Sequence, residues 1–166
     1  MRRLDPDEAA AVIAGATPIP SARPPRVLRA SIAGRDPSGS PVECALTEGR
    51  WLVIFSSTTC DGCSQLAGLV AGGTPGVAVL GAMREPESGL PDDAVSAFTA
   101  MGGRWVLGDA PFAALGVHAA PFFCVLEHGT VVLEGIPLGR AHVEAHVAGT
   151  LSGRPLPDAV WLTPDP

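Results

Sequence analysis

Lysine is absent from this 166-residue chain: all 11 basic residues are arginine, set against 17 acidic ones, for a net charge of −6. A negative surface with scattered Arg repels phosphate backbones and anionic headgroups, which argues against general nucleic-acid or membrane-surface binding. Long apolar runs are missing too; none approaches the roughly 20 residues a membrane-spanning helix needs. Cysteine is scarce (Cys44, Cys60, Cys63 and Cys124), too scarce for a disulfide-scaffolded miniprotein. Charged residues make up only 17% while hydrophobic ones reach 46%, which suits one compact domain able to build its own core. The 20 Gly and 17 Pro stay below the roughly 25–30% share of a low-complexity chain.

Arg2 and Arg3 invite an export reading, but Leu4-Asp5-Pro6-Asp7-Glu8 follows where a signal would place its apolar core. The expectation is therefore a cytoplasmic protein. The alternative is an extracytoplasmic one, if an anchor or signal lies upstream. Asp5-Pro6-Asp7-Glu8 is instead a good helix start: a capping Asp, Pro at the first helical position, then acids in the first turn. Residues 17–25, with four prolines, read as an extended connector.

The domain proper is expected over residues 27–152, after an N-terminal helix and connector over 1–26 and before a C-terminal tail over 153–166. Val27 to Ile32 alternates, Asp36-Pro37-Ser38-Gly39 turns and Val42 to Leu46 returns, a predicted hairpin. Trp51-Leu52-Val53-Ile54-Phe55 is an apolar run of the kind found in a strand buried on both faces. A helix is then expected from Cys60 to about Ala71, a strand over Val77–Leu80, and a helix from Pro91-Asp92-Asp93 to near Gly102. Trp105–Leu107 reads as a short strand and Pro111–Leu115 as a helical turn. Phe122–Leu126 and Val131–Glu134 flank a turn at Glu127-His128-Gly129-Thr130, and Arg140–Leu151 forms a last helix. This alternation is a three-layer α/β order.

The Cys60-Asp61-Gly62-Cys63 segment carries the chemistry. At a helix start, free backbone N–H groups and the helix dipole stabilise a thiolate on the first sulfur. The second sulfur, within the same turn, is placed to attack a mixed disulfide. Cys60 is then the attacking thiol and Cys63 the resolving one. Asp61 opposes a second negative charge beside Cys60, so a weak oxidant or a reductant is expected. A zinc site usually shows a second closely spaced Cys or His pair, and Cys44 and Cys124 stand alone.

From here the sequence resembles a known family. Trp51-Leu52-Val53-Ile54-Phe55-Ser56-Ser57-Thr58-Thr59-Cys60-Asp61-Gly62-Cys63 looks like the active-site segment of thioredoxin-fold disulfide oxidoreductases. Leu115-Gly116-Val117-His118-Ala119-Ala120-Pro121-Phe122 resembles the segment that carries their cis-proline. The distance from Cys63 to Pro121 leaves room for an extra strand and helix, as in TlpA- and ResA-type members. The run from Pro121 to Gly135, with Arg140 to Glu144, is similar to MauD-type proteins, implicated in maturing methylamine dehydrogenase. The resemblance spans residues 48–150. It implies a thioredoxin-like three-layer α/β/α fold with an N-terminal β-hairpin and a TlpA-type βα insertion. It also implies that Pro121 follows a cis bond beside Cys60, exposes the Ala120 backbone to an extended substrate and denies metal a ligand position. The implied partners are a protein disulfide or dithiol and an electron-donor or acceptor protein, with no cofactor, no metal and a monomeric chain.

Thr59 stands where an aromatic residue often precedes the first Cys, and Ile54 where thioredoxin has a buried Asp; Glu85 or Glu87 are candidate substitutes. Thr59, Asp61, Gly62 and His118 are the candidate modulators of the dithiol. His118 is otherwise a partly exposed loop residue. His142 and His146 read as solvent-facing, Cys44 and Cys124 as small buried residues, Phe122 as core and Phe123 as groove wall. Rival readings are a non-enzymatic interaction or maturation module with dispensable cysteines, and copper binding through Cys60, Cys63 and His118. A peroxiredoxin is disfavoured because Ser57 and Val53 stand where its motif wants Thr and Pro.

Overall fold

A computed structural model of the protein describes residues 26–28, 31–60, 63–84 and 89–151. The expected helix at Asp5, the connector over 17–25, the tail over 153–166, and Asp61, Gly62, Glu85 and Glu87 lie outside the described residues.

Seven strands form one mixed sheet in the order β2-β1-β5-β4-β3-β6-β7. β1 (Ile32–Arg35) and β2 (Pro41–Cys44) make the antiparallel hairpin. Asp36 closes its turn by accepting the backbone N–H groups of Ser38 (2.9 Å) and Ser40 (3.0 Å). β3 (Arg50–Ser57) sits at the middle, parallel to β4 (Ala78–Arg84) and antiparallel to β6 (Phe122–Glu127). β5 (Trp105–Leu107) continues the parallel part, and β7 (Thr130–Gly135) pairs with β6 across a turn where His128 and Gly129 both take positive φ. Positive φ at both central residues matches the twist of the flanking strands, which is why Gly is favoured there.

The hairpin's first strand begins at Ile32, not at Val27. Val27 instead bridges to Thr130, with Leu28 N–H donating to the Gly129 carbonyl (2.7 Å) and Val131 N–H to the Arg26 carbonyl (2.8 Å). β7 and β1 lie on opposite sides of the sheet, so one continuous strand cannot serve both. Sequence alternation had no means of registering that break.

Successive β3 residues face opposite ways. Trp51, Val53 and Phe55 enter one core with Leu115, Phe122, Cys124 and Phe112 of α3 (Ala110–Ala114). Leu52 and Ile54 enter the other with Leu66, Leu69 and Val70 of α1 (Cys63–Gly72), and with Val143 and Val147 of α4 (Arg140–Leu151). The expected three layers are present: helices cover both faces of the sheet. α2 (Asp92–Met101) lies on the α1 side and has no fully buried residue.

Two expectations are corrected. Phe123 is not a groove wall: β6 is buried on both faces, so Phe122 packs in the first core and Phe123, 1% exposed, in the second. His142 and His146 do not face solvent either; His146 is buried and His142 half-buried. They share a helical face with Val143 and Val147, and both rings stand 6.3 Å from the Phe123 ring.

Candidate active site

β3 ends at Ser57, and the chain turns back through Cys60 into α1. Cys60 N–H donates to the Ser57 carbonyl (3.3 Å) and Cys63 N–H to the Cys60 carbonyl (3.2 Å), so a tight turn precedes the helix. The described helix starts at Cys63 rather than at Cys60. The two cysteines form a disulfide with Cα atoms 5.4 Å apart. Their environments differ: Cys63, the first residue of α1, is buried, while Cys60 is half-buried. One residue of the pair is therefore partly exposed and the other is shielded.

The Ala120–Pro121 peptide bond is cis, and both residues are half-buried. Phe55 faces Phe122 in the β3–β6 ladder, so Pro121 and Cys60 emerge from the same end of the sheet. Thr59 is exposed, with its hydroxyl 3.4 Å from that of Ser57. His118 is exposed as well; its carbonyl accepts from Arg84 Nη1 (3.4 Å).

Arg84 was not singled out by sequence, where it reads as the polar end of an apolar strand. Its Nε pairs with Asp109 (2.7 Å) and its guanidinium lies 4.5 Å from the centre of the Phe112 ring. With the His118 contact, it ties α3 to the loop that leads into Pro121. Arg84 also pairs with Ser57 across β3 and β4, at the dithiol end of the sheet.

A cavity of about 380 Å³ opens between α1 and α2 against the disulfide, with Met83, Phe98 and Trp105 among its walls. It lies on the β4 side of β3, whereas Pro121 leads into β6 on the other side of β3.

Ile54 is fully buried in the same core as α1. Among the described residues the buried carboxylate is Glu134, which sits across the sheet beside Cys124 Sγ (3.9 Å) and is paired with Arg26. Burial pushes the Cys124 thiol up to about 12, against a smaller opposing pull from Arg26. Burial also raises the Cys44 thiol. Both are free and buried, and neither is suited to attack a disulfide. Among the described residues no three His, Cys, Asp or Glu side chains converge as a metal site.

On α4, His142 Nδ1 accepts the Leu138 N–H (3.3 Å), so its Nε2 carries the proton and donates to His146 Nε2 (2.9 Å). Burial lowers the pKa of both rings, and for His142 the neighbouring His146 adds to this.

No protein-family profile matches the chain, and no curated protein does. Solved structures do. The chain is similar to an uncharacterised conserved protein from Geobacillus kaustophilus, with TM-score 0.62 and 13% identity over 85% of this chain and 93% of that one. It is similar to a secreted Mycobacterium tuberculosis disulfide oxidoreductase homologous to E. coli DsbE, with TM-score 0.53 and 19% identity over 70% and 94%. The thioredoxin domain of a thiol-disulfide oxidoreductase from Bacteroides vulgatus matches with TM-score 0.54 and 16% identity over 75% and 95%. At these identities the likeness is one of fold: this is a thioredoxin-like α/β chain with a Cys-x-x-Cys pair at the head of its first described helix. Among the described residues no helix is long and apolar enough to cross a membrane.

Proposed function

We propose that the chain is a thiol–disulfide oxidoreductase that exchanges the Cys60–Cys63 pair with a protein partner, in a reductive or maturation role. The observation that carries this is the asymmetry of the pair, a partly exposed Cys60 joined to a shielded Cys63. In the reduced protein the Cys60 thiolate attacks one sulfur of a substrate disulfide. That bond breaks, its electron pair leaves with the second substrate sulfur, and Cys60 is held in a mixed disulfide. The Cys63 thiolate then attacks Cys60 Sγ, expels the first substrate sulfur as a thiolate and restores the Cys60–Cys63 bond. Two electrons pass to the substrate, and an electron-donor protein must return them. Run in reverse, the same steps oxidise a dithiol.

The head of α1 supports a thiolate at Cys60, and Asp61 opposes it, which favours a reductant or weak oxidant. The Ala120 backbone and Pro121 receive the extended substrate chain; Thr59, Asp61, Gly62 and His118 modulate the pair. The secreted M. tuberculosis protein of the same fold supports the extracytoplasmic alternative over the cytoplasmic one.

The test is a trap. Reduced Cys63→Ser protein incubated with insulin is expected to accumulate a conjugate through Cys60 that dithiothreitol dissolves and that Cys60→Ser/Cys63→Ser never forms. Absence of any such conjugate overturns the reading.

A further inference from the structure

We infer that the cavity between α1 and α2 seats one large apolar side chain of the substrate polypeptide, close in sequence to the cysteine that exchanges with Cys60. The inference rests on the exchange reading above and adds the substrate's local chemistry. Cys60 and Cys63 themselves form part of the wall, together with Met83, Phe98, Met101 and Trp105. A chain joined to Cys60 advances about 3.3 Å per residue when extended, so side chains one or two residues from its cysteine fall within reach of the opening.

α2 explains why the space exists. Phe98 is the α2 side chain that packs against the α1-side core, none of the helix's residues is fully buried, and Phe98 meets Trp105 edge-on at 4.8 Å between ring centres. The helix leaves a cavity between itself and α1 whose described walls are largely apolar. Met83 and Met101 are unbranched and polarisable, so the walls adapt to aromatic or aliphatic occupants alike. A volume of about 380 Å³ takes one such side chain with room to spare.

Charge narrows the occupant further. Among the described residues the one charged lining residue is Asp93, beside Asp92, and both are exposed at the start of α2. An arginine or lysine next to the apolar residue completes that lip, whereas an acid there meets like charge. The substrate segment is thus a cysteine with a bulky apolar residue and a basic residue nearby. Pro121 would hold its main chain on the β6 side of β3 and the cavity its side chain on the β4 side.

The probes are short peptides whose single cysteine is capped as a thionitrobenzoate mixed disulfide. Each carries Phe or Ser, and Arg or Glu, beside the cysteine. Reduced full-length Cys63→Ser protein attacks through Cys60; the Cys60–peptide disulfide forms and thionitrobenzoate leaves as a coloured thiolate, which gives the rate. Sequestering a Phe side chain predicts that the Phe–Arg peptide reacts at least about tenfold faster than the Ser–Arg peptide. Ala94→Phe, which fills the cavity, brings that ratio close to one in protein shown to be folded by circular dichroism. Asp93→Arg reverses the preference for Arg over Glu. Equal rates for Phe and Ser peptides in the parent protein overturn the inference without any cavity variant, as does a ratio that survives Ala94→Phe. Failure of reduced Cys60 to react even with bis(2-hydroxyethyl) disulfide instead overturns the exchange reading itself.

Discussion

Gly81→Ala, one methyl group in the middle of β4, is expected to be among the most damaging small substitutions in the sheet. Gly81 faces Trp105 across the β4–β5 ladder. A Cβ there would meet Cδ2 of the Trp105 ring at 2.7 Å, and Cε3 and Cζ3 closer still. Ordinary carbon contacts lie at about 3.5–4.0 Å, so the ring must withdraw by roughly 1 Å. It has nowhere easy to go: Trp105 is 4% exposed, Phe98 abuts its face, and Nε1 donates to the Gly102 carbonyl (3.2 Å). Overpacking of this kind costs about 1–3 kcal/mol, and losing the indole hydrogen bond adds about 1 kcal/mol, so about 2–4 kcal/mol is expected. Urea unfolding followed by far-ultraviolet circular dichroism reads it directly. Gly72→Ala is the control, since a Cβ at Gly72 meets open space at the end of α1. Trp105→Val removes the obstructing ring and should recover at least about 1 kcal/mol of the Gly81→Ala cost in a double-mutant cycle. A Gly81→Ala loss below about 0.5 kcal/mol, or strict additivity with Trp105→Val, refutes the reasoning. The displaced ring also narrows the cavity beside Cys60, so the Phe-to-Ser peptide ratio should fall in the same variant.

Two further outcomes are expected. Arg84→Ala removes the Asp109 pair and the hold on the His118 carbonyl; because Arg84 is 44% exposed, stability should drop by only about 1 kcal/mol. Exchange with capped peptides should nonetheless slow several-fold, with Arg84→Lys restoring part of the stability and little of the rate; unchanged rates would remove Arg84 from the site. The histidine pair gives a pH signature. Both rings have lowered pKa values in the folded chain, so below the ordinary value of 6.5 the unfolded chain binds more protons than the folded one. Stability from this source is complete above that value and declines as pH falls through the window beneath it. A thermal melting series from pH 7.5 to 5 should show the decline, and His142→Gln/His146→Phe should flatten it. Asp36, whose carboxyl is held below 3.8 chiefly by the Ser38 hydroxyl, titrates outside that window. A parent protein with no slope there sinks the account of the pair.

Local signals were read well where one strong periodicity acted alone. Trp105–Leu107 and Arg140–Leu151 coincide with their expected bounds, and Trp51–Phe55 is the buried centre of the sheet. The cysteine spacing pointed to the disulfide, and the family resemblance, not the residues by themselves, implied the cis bond before Pro121. His142, Val143, His146 and Val147 form a stripe that could have announced a buried face, but the polarity of histidine masked it. Arg84 offered no such signal, because its partners Asp109 and His118 are 25 and 34 residues away.

Sequence alone determined the α/β alternation, the helix and strand types and the two sulfurs three residues apart, because each depends on residues within a few positions of one another. Tertiary structure decided the sheet order, the division of Arg26–Leu28 from β1, the burial of Phe123 and the histidines, and the cavity beneath α2. Each of those is set by which distant surfaces exclude water together, and hydrophobic burial carries no record of its partner in the local pattern of residues.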